Sequence, residues 1–522
     1  MPEPMEHAAS TAERRPSSYS LNEAVALVAW LLVIFGVVLR LRQYMANRSL
    51  WLDEAALAVS IASRSLKGLL QPLEYDQHAP IGFLLLEKLA VRLFGTSEYA
   101  LRLVPLTAGI CSVPLFYRLI KQCLQERAGL LAMCLFCASE PLIYYASEVK
   151  QYSSDVAIAV AILLLTMQSL QHGLSVRRYI GLALIGAIAV WCSYPAVFVL
   201  AGSGITLAAR EVSEGRRGAA YKVLLVAAIW GLSFGINYAL FGRTLASDKT
   251  MASYWASDFA PLPTSGAAVM WYVKVAFRLL RDVFGPPSTL PELGPVLTGL
   301  SLVAALVGIG NLFENRRWSL AALLTPVAFT LVASSLKLYP FVGRLVLFMN
   351  PILILLVAAG MQENSPSTRP SARIIRLATA LLVLAPLASA TMGLARPAGK
   401  QESRDVLRYL GEHASAGDLV YTYPGFQPSL DYYKRFSKIA GLSNLTFLQG
   451  DTEQWPTYDA DMARLRGHNR IWVYFCRTAP DRGPEEQGVV VAVLDQKGRR
   501  LDEFHATGAA LYLYDMSIPA QR

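Results

Sequence analysis

Charged residues are scarce in this sequence. Only 16% of its 522 residues are Asp, Glu, Lys or Arg, whereas 54% are hydrophobic and the mean hydropathy is +0.37. Soluble domains carry nearer a quarter charged residues, so this composition excludes an ordinary soluble protein and indicates a membrane protein. The net charge of +10 comes from short clusters between apolar runs, which is typical of membrane topology and not of a nucleic-acid-binding face.

Cysteines are also few. Most of the six lie within or beside apolar runs, where a thiol behaves as a small hydrophobic group. Cys134 and Cys137 have the spacing of a redox or metal-binding pair, but they lie inside an apolar run and no second pair accompanies them. The cysteines therefore indicate packing, and they predict no disulfide framework.

Long apolar runs fill most of the chain instead. A polar tail over residues 1–20, predicted to be cytoplasmic, precedes a first run that is too long for a cleaved signal peptide. Eleven runs have roughly the length of a membrane span: residues 24–38, 102–119, 128–146, 154–170, 180–192, 195–209, 221–240, 296–312, 319–335, 345–360 and 375–393. These runs predict a polytopic α-helical membrane protein with a transmembrane domain over residues 21–395.

The short segment Pro80 to Phe94 decides the topology. If it lies in the interface or re-enters the membrane, the basic loops near Lys121, Arg177 and Arg316 all fall on the cytoplasmic side, as the positive-inside rule requires. If it crosses fully, all of them fall outside. The first arrangement makes the first loop (residues 41–101), the loop 241–295 and the C-terminal region exoplasmic. The aromatic-rich loop 241–295 is predicted to form either a lid or an aromatic belt at the headgroups.

Residues 396–522 differ in composition and predict a small, soluble, exoplasmic α/β domain. A helix is predicted at Ser403–His413, followed by strands that begin at Asp418 and at Ile471. Residues 489–494 and 509–514 are predicted to form a pair of antiparallel strands.

Four polar clusters share the exoplasmic side. Asp53 and Glu54 open a segment with helical apolar spacing, where an acidic pair also complements the helix dipole. His78 lies beside Pro80, where the first loop returns to the membrane. The other two clusters flank apolar runs, and their members are Glu148, Lys150, Gln151, Tyr152 and Asp155, then Lys337, Tyr339 and Arg344.

Ionisable groups close to hydrocarbon are costly and indicate a functional site, although such side chains can also anchor helix ends by snorkelling. The Arg344 guanidinium suits a phosphate, because its planar fork can bind two oxygens at once. Carboxylates that deprotonate a hydroxyl, together with cations that hold a phosphate, suit chemistry on a phosphate-bearing amphiphile.

The order of these motifs resembles that of the GT-C glycosyltransferases. It is similar in particular to the bacterial branch related to protein O-mannosyltransferases and the aminoarabinose transferases of lipid A, a glycosyltransferase family 39-like group. The resemblance covers roughly residues 20–395 and rests on Trp51-Leu-Asp53-Glu54, His78-x-Pro80, Ser97-Glu98-x-x-Leu101-Arg102, Glu148-x-Lys150-Gln-Tyr152 and Tyr339-Pro-x-x-Gly-Arg344. It implies a GT-C fold with about 11–13 transmembrane helices, each of them long enough to cross the bilayer.

Members of this family move a sugar from a polyprenyl-phosphate carrier to an acceptor hydroxyl with inversion. The resemblance implies that Asp53 and Glu54 are catalytic, with Asp53 as the base. It places Arg344, Lys150 and His78 at the donor phosphate. It assigns to the sugar and acceptor pocket Glu148, Tyr152, Gln151, Asp155, Tyr339 and Lys337.

The resemblance also implies the partners and the location of the protein. The partners are a polyprenyl-phosphate-linked hexose or pentose, a lipid, glycan or protein acceptor, and the bilayer, with no nucleic acid. The location is the plasma (inner) membrane, with the N-terminus cytoplasmic and the active site periplasmic. Gln77-His78-Ala79-Pro80 departs from relatives that carry an acidic–basic pair before prolines, so a divalent cation is left open.

Two other classes of protein remain as alternatives. A lipid or sugar transporter or flippase would place polar groups near the bilayer midplane. Here the ionisable residues gather at one face, which favours chemistry at the interface. A non-catalytic relative that binds polyprenyl lipid is the other alternative, and the intact pair Asp53 and Glu54 favours an enzyme.

Overall fold

The structure is a computed structural model, and it describes residues 18–242, 253–284, 291–362, 369–422, 426–437, 439–449, 464–476 and 483–517. Most of the predicted tail 1–20 and parts of the loop 241–295 therefore lie outside the described residues. The α-helices of the membrane region and the first loop are α1 (Ser18–Met45), α2 (Leu52–Ser63), α3 (Ile81–Phe94), α4 (Glu98–Leu101), α5 (Leu103–Cys123), α6 (Glu126–Ala138), α7 (Glu140–Tyr144), α8 (Tyr152–His172), α9 (Val176–Cys192), α10 (Ala196–Ser213), α11 (Arg217–Asn237), α12 (Gly266–Phe284), α13 (Leu293–Ser335), α14 (Asn350–Gly360) and α15 (Arg369–Ala395). The C-terminal region contains β1 (Leu419–Thr422), β2 (Thr446–Gln449), β3 (Ile471–Phe475), β4 (Arg499–Ala506) and β5 (Ala509–Asp515), with α16 (Ser403–His413), α17 (Gln427–Phe436) and α18 (Gly483–Lys497).

Within the described residues, eight helical segments are long and apolar enough to cross a membrane, and α6 with α7 adds a ninth if this pair, bent by 52°, is one span. The protein is therefore a multi-pass membrane protein. All eleven predicted spans fall on helical segments, but residues 128–146 cover the two helices α6 and α7, and residues 296–312 and 319–335 both lie in α13. The eight helices are fewer than the eleven predicted spans for these two reasons and because α9 has only 17 residues.

Helix α13 has 43 residues and is kinked at Arg316, where φ is −147° and ψ is 52°. A straight helix of this length would extend about 65 Å, roughly twice the hydrocarbon thickness of a bilayer. The kink separates the predicted spans 296–312 and 319–335, and Arg316 donates a hydrogen bond of 2.9 Å to the carbonyl of Gln122. A charged residue at this break thus lies where two apolar segments change direction.

Helices α13 and α14 are in backbone contact through glycine. A Cβ atom on Gly308 would lie 1.9 Å from the carbonyl oxygen of Leu356, and one on Gly360 would lie 1.9 Å from that of Ala304. Glycine has no side chain, so it allows two membrane helices to approach this closely. Close packing matters here because the lipid supplies no hydrophobic force that holds helices together. These two glycines fix the packing of the helix that follows Arg344.

Helix α3 has 14 residues and a length of about 21 Å, which is shorter than the hydrocarbon core of ~30 Å. It is not one of the helices with the length and composition of a span. An interfacial or re-entrant position for Pro80 to Phe94 remains the prediction.

The first loop and the C-terminal region share one hydrophobic core. Leu57 and Ile61 of α2 are fully buried in the same cluster as Tyr433 and Trp472. The backbone N–H of Leu50 donates to the Tyr433 hydroxyl at 2.7 Å. The described part of residues 396–522, a range predicted as a domain of its own, therefore shares its core with the first loop.

The C-terminal sheet has the strand order β2-β1-β3-β5-β4. Strand β1 is parallel to β2 and β3, whereas β5 is antiparallel to β3 and β4. The predicted helix Ser403–His413 and the strands at Leu419 and Ile471 are confirmed.

The prediction of a strand over residues 489–494 is wrong, because this segment belongs to helix α18. Val490 and Leu494 are buried four residues apart, which is the spacing of one helix face. The antiparallel partner of β5 is β4 instead, an edge strand whose side chains alternate between exposed and half-buried positions.

Candidate active site

Asp53 and Arg344 form an ion pair although 291 positions separate them. Asp53 lies in the first turn of α2, and its Oδ2 is 2.5 Å from the Nη2 atom of Arg344. Arg344 follows Gly343, whose φ of 45° lets the chain turn before it, and its guanidinium lies 5.1 Å from the ring centre of Trp51 and 5.8 Å from that of Tyr152. The structure thus brings together members of three of the four predicted clusters.

Glu54 has a different environment from its neighbour. It is fully buried, and it binds Arg102 through two hydrogen bonds of 2.9 and 2.7 Å. Its Oε1 also accepts the backbone N–H of Val149 at 2.9 Å. Burial disfavours the charged carboxylate, but Arg102 and Arg48 outweigh this effect and lower the pKa of Glu54. Both oxygens of Glu54 thus accept hydrogen bonds inside the protein, which suits a residue that positions Arg102 and the turn before α8, and the catalytic role of Glu54 stays a prediction.

Lys150 and Glu148 lie on the turn before α8, and both are buried. The Lys150 ammonium donates to Oε1 of Gln77 at 2.6 Å, which connects the turn to the segment that carries the half-buried His78. Burial lowers the pKa of Lys150, whereas the nearby Asp53 favours its charged form. Lys150 is thus an interior cation next to the Asp53–Arg344 pair.

The remaining predicted pocket residues have three different environments. Gln151 and Tyr152 are buried at the start of α8, and the Tyr152 ring faces Arg344. Asp155 is close enough to Tyr339 to interact with it electrostatically, and the Tyr339 hydroxyl donates to the carbonyl of Leu345. Lys337 is exposed at the end of α13 with a φ of 58°, so it does not line the same pocket wall.

The sequence analysis missed Lys400, which lies on the tether between α15 and α16. Its ammonium is 3.2 Å from Oε2 of Glu148 and 4.1 Å from the ring centre of Trp51. It also faces the rings of Tyr144 and Tyr145 at 4.6 and 5.5 Å. The surrounding sequence, Ala398-Gly-Lys-Gln, matches no motif, so no local signal identified it.

A cavity of about 710 Å³ adjoins these residues. Arg344, Lys400, Tyr144 and Tyr145 line one part of it. The remainder is lined mainly by α7, α12, α13 and α15, with apolar side chains and the charged Glu140, Arg281 and Asp282. The cavity thus combines charged groups with apolar side chains of membrane helices, as a ligand with a charged head and an apolar tail requires.

Three cations surround the carboxylate of Asp53, namely Arg344, Lys150 and Lys400. Burial disfavours the charged form of Asp53, but these cations outweigh burial and lower its pKa. Asp53 is therefore ionised at neutral pH, and the cluster of cations around it favours an anionic ligand. Farther along the cavity wall, Glu140, Arg281 and Asp282 add charges of both signs.

The chain is similar to known proteins in a sequence profile over part of its length and in its fold. A sequence profile of the family described as dolichyl-phosphate-mannose-protein mannosyltransferase matches residues 77–234. The chain is similar in structure to ArnT from Cupriavidus metallidurans bound to undecaprenyl phosphate, with a TM-score of 0.54 and 10% identity over 95% of this chain and 98% of that chain. It has the GT-C fold.

A second GT-C structure extends the likeness. The archaeal oligosaccharyltransferase AglB from Archaeoglobus fulgidus, in complex with an inhibitory peptide and a dolichol-phosphate, matches with a TM-score of 0.53 and 12% identity, over 95% of this chain and 74% of that chain. A comparison with curated protein sequences found no match. The predicted resemblance to the GT-C glycosyltransferases and the predicted fold class are confirmed.

The GT-C fold here carries no evident metal ligand set in the part of the chain that the structure describes, where no three His, Cys, Asp or Glu side chains group to hold an ion. The carboxylates at the site pair with cations instead, Asp53 with Arg344 and Glu148 with Lys400. A divalent cation remains open, without a proposed ligand.

Proposed function

We propose that this protein is a membrane glycosyltransferase that moves a sugar from a polyprenyl-phosphate donor to an acceptor hydroxyl, with inversion, on the exoplasmic face. The observation that carries the proposal is the ion pair of Asp53 and Arg344, because Arg344 lines the cavity and Lys150 and Lys400 lie close to the same carboxylate. A carboxylate base next to phosphate-binding cations is what such a transfer requires.

Asp53 acts as the general base. It takes the proton of the acceptor hydroxyl while the hydroxyl oxygen attacks the anomeric carbon of the sugar. The bond from that carbon to the phosphate oxygen breaks, and its electron pair stays on the phosphate. One displacement from the opposite side inverts the configuration at this carbon.

Arg344 and Lys150 stabilise the leaving phosphate. The donor is a phosphodiester with one negative charge, and the product is a phosphomonoester that carries more. Cations that are already in place stabilise the charge as it develops, without reorganisation during the reaction. Since Arg344 also holds Asp53, a bound phosphate competes for the guanidinium and makes Asp53 a stronger base.

Glu148, Gln151 and Tyr152 form the sugar pocket. Oε1 of Glu148 and Oε1 of Gln151 are buried, and among the described residues neither has a hydrogen-bond partner. Buried polar atoms are costly unless they are hydrogen-bonded, so a sugar with several hydroxyls suits this wall. Asp155 and Tyr339 complete the pocket behind Tyr152. His78 is proposed to bind the donor phosphate with Arg344 and Lys150, because it follows Gln77, whose side chain accepts a hydrogen bond from Lys150. The exposed Lys337 is left out of the pocket.

The similar structures support the choice of donor. The ArnT structure contains undecaprenyl phosphate, and the AglB structure contains a dolichol-phosphate. We therefore propose a polyprenyl-phosphate donor, an inner-membrane location with the N-terminus cytoplasmic, and a periplasmic site. A domain over residues 21–395 would supply the catalytic groups, and residues 396–522 would cover them.

A transfer assay tests this function. The full chain in lipid vesicles is supplied with radiolabelled polyprenyl-phosphate sugars and an extract of envelope lipids, glycans and proteins. The proposal expects label in an acceptor, stoichiometric release of polyprenyl phosphate, and an inverted linkage. Movement of intact donor across the vesicle without transfer would identify a transporter instead.

A further inference from the structure

Lys400 reaches the site from outside the membrane domain. Its side chain is about one-third exposed, whereas its partner Glu148 is fully buried. The ammonium and the Arg344 guanidinium both face the ring of Trp51, and both side chains line the same cavity. A phosphate in this cavity would therefore lie within reach of two cations from opposite ends of the sequence.

The tether that carries Lys400 is fixed on both sides of that residue. The Gln43 side chain accepts the backbone N–H of Ala398 at 3.2 Å and donates to its carbonyl at 2.7 Å. Oε1 of Gln401 accepts the backbone N–H of Leu52 at 2.9 Å. The backbone around Lys400 is thus bound to the end of α1 and to the start of α2, the helix that carries Asp53.

The hairpin of β4 and β5 packs against the backbone of Lys400. Gly508, in the turn between β4 and β5, has a φ of +65°, and a Cβ atom there would lie only 2.0 Å from the carbonyl oxygen of Lys400. The neighbouring carbonyl of Thr507 accepts the N–H of Glu402 at 2.7 Å. Only glycine fits this contact, so the C-terminal sheet sets the position of the tether.

On the basis of the proposed function, we infer that Lys400 is a ligand of the donor phosphate and that the C-terminal region holds it in place. The ammonium of lysine has three N–H donors. We expect it to exchange its contact with Glu148 for one with a phosphate oxygen when the donor binds. That exchange frees Glu148 to accept a sugar hydroxyl. The active site is then complete only when the C-terminal region is docked on the first loop.

Binding of undecaprenyl phosphate to the full chain in detergent tests the first part, with undecaprenol as the ligand that lacks only the phosphate. Lys400→Met keeps the aliphatic stem over Trp51 and removes the charge. We expect it to bind undecaprenyl phosphate roughly 10- to 100-fold more weakly, with unchanged binding of undecaprenol. Lys400→Arg should recover most of the affinity, and Lys434→Met, which removes another C-terminal lysine that faces a ring, should bind as wild type.

Gly508→Ala tests the second part, because it displaces the tether without altering a cavity residue. Gly467→Ala is its matched control, since Gly467 has a φ of +87° and nothing within 4 Å of the added Cβ. We expect weaker binding of undecaprenyl phosphate in Gly508→Ala than in Gly467→Ala. Equal affinities would overturn the role of the C-terminal region.

Two further outcomes separate this inference from the proposed function. Wild-type affinity in Lys400→Met, in a protein that transfers sugar, would overturn the role of Lys400 alone. A wild-type chain that does not prefer undecaprenyl phosphate to undecaprenol would overturn the proposed donor, and the role of Lys400 with it. In transfer assays, a phosphate ligand should raise the donor KM in Lys400→Met, whereas a purely structural lysine would change the unfolding midpoint instead.

Discussion

Removing the charge of Glu54 should lower the stability of the protein, whereas removing the charge of the adjacent Asp53 should lower its activity. Glu54→Gln keeps the shape of the side chain but turns an N–H donor of the amide toward Arg102, which has donors only. Removing one partner of a buried pair leaves an uncompensated charge and costs about 3–5 kcal/mol of stability. Asp53→Asn breaks a pair in which both side chains retain some exposure, so its cost should be about 1 kcal/mol or less.

The assay is thermal unfolding of the full chain in detergent, read alongside transfer activity. We expect a large drop in the unfolding midpoint for Glu54→Gln and almost none for Asp53→Asn, which should lose activity instead. Glu54→Leu combined with Arg102→Met should recover part of the stability, because apolar replacements remove the unpaired charge. A Glu54→Gln protein with wild-type stability and no activity would refute this reasoning and return Glu54 to the chemistry.

Three other predictions concern the Asp53–Arg344 pair, the packing of α13 on α14, and the contact of the C-terminal region with the first loop. Burial raises the pKa of Asp53, and Arg344 is the main group that lowers it. Arg344→Gln should therefore raise this pKa and move the acid limb of the kcat/KM profile to higher pH. An acid limb that does not move would exclude Asp53 as the titrating base. Gly308→Val should destabilise the protein by about 1–3 kcal/mol in unfolding assays, because it forces α13 from α14, whereas Gly310→Val, on the same helix with open space around it, should be near neutral. Glu402→Ala removes the acceptor of the Ser49 N–H and hydroxyl, so limited proteolysis should cut the C-terminal region faster, and wild-type resistance would contradict the docking described here.

The membrane helices could be predicted from the sequence because hydrophobic length is a strong local signal. Each predicted span falls on a helical segment, and the gap between the predicted spans 180–192 and 195–209 separates α9 from α10. The number of crossings was harder to define, because the two predicted spans of α13 meet at a kink at Arg316, where the hydropathy predicts a loop. Local patterns thus locate apolar segments better than they define how segments join.

The C-terminal region shows where local propensity fails. The β-branched run before Leu494 predicts a strand, yet the segment is helical, and only Val490 and Leu494, four residues apart, are buried in the core shared with the sheet. Strand β4 is rich in charged residues because it is an edge, so its signal was weak. Tertiary packing overrides intrinsic preference in both segments.

The site could be predicted only in part. Asp53, Lys150, Tyr152 and Arg344 belong to recognisable motifs, and the structure brings them together. The sequence could not show that Glu54 is paired inside the protein, because its partner Arg102 reaches it from another element. It could not identify Lys400 either, because that residue owes its position to Gln43, Gln401 and Gly508, which lie far apart along the chain.

The most direct test of the proposed glycosyl transfer is the rate of sugar release from a radiolabelled polyprenyl-phosphate donor in membranes containing wild type or Asp53→Asn. Loss of a general base should lower the rate by at least ~100-fold while donor binding persists. Undiminished transfer by Asp53→Asn would contradict the assignment of the base, and the absence of transfer by the wild type with every donor would contradict the glycosyltransferase itself.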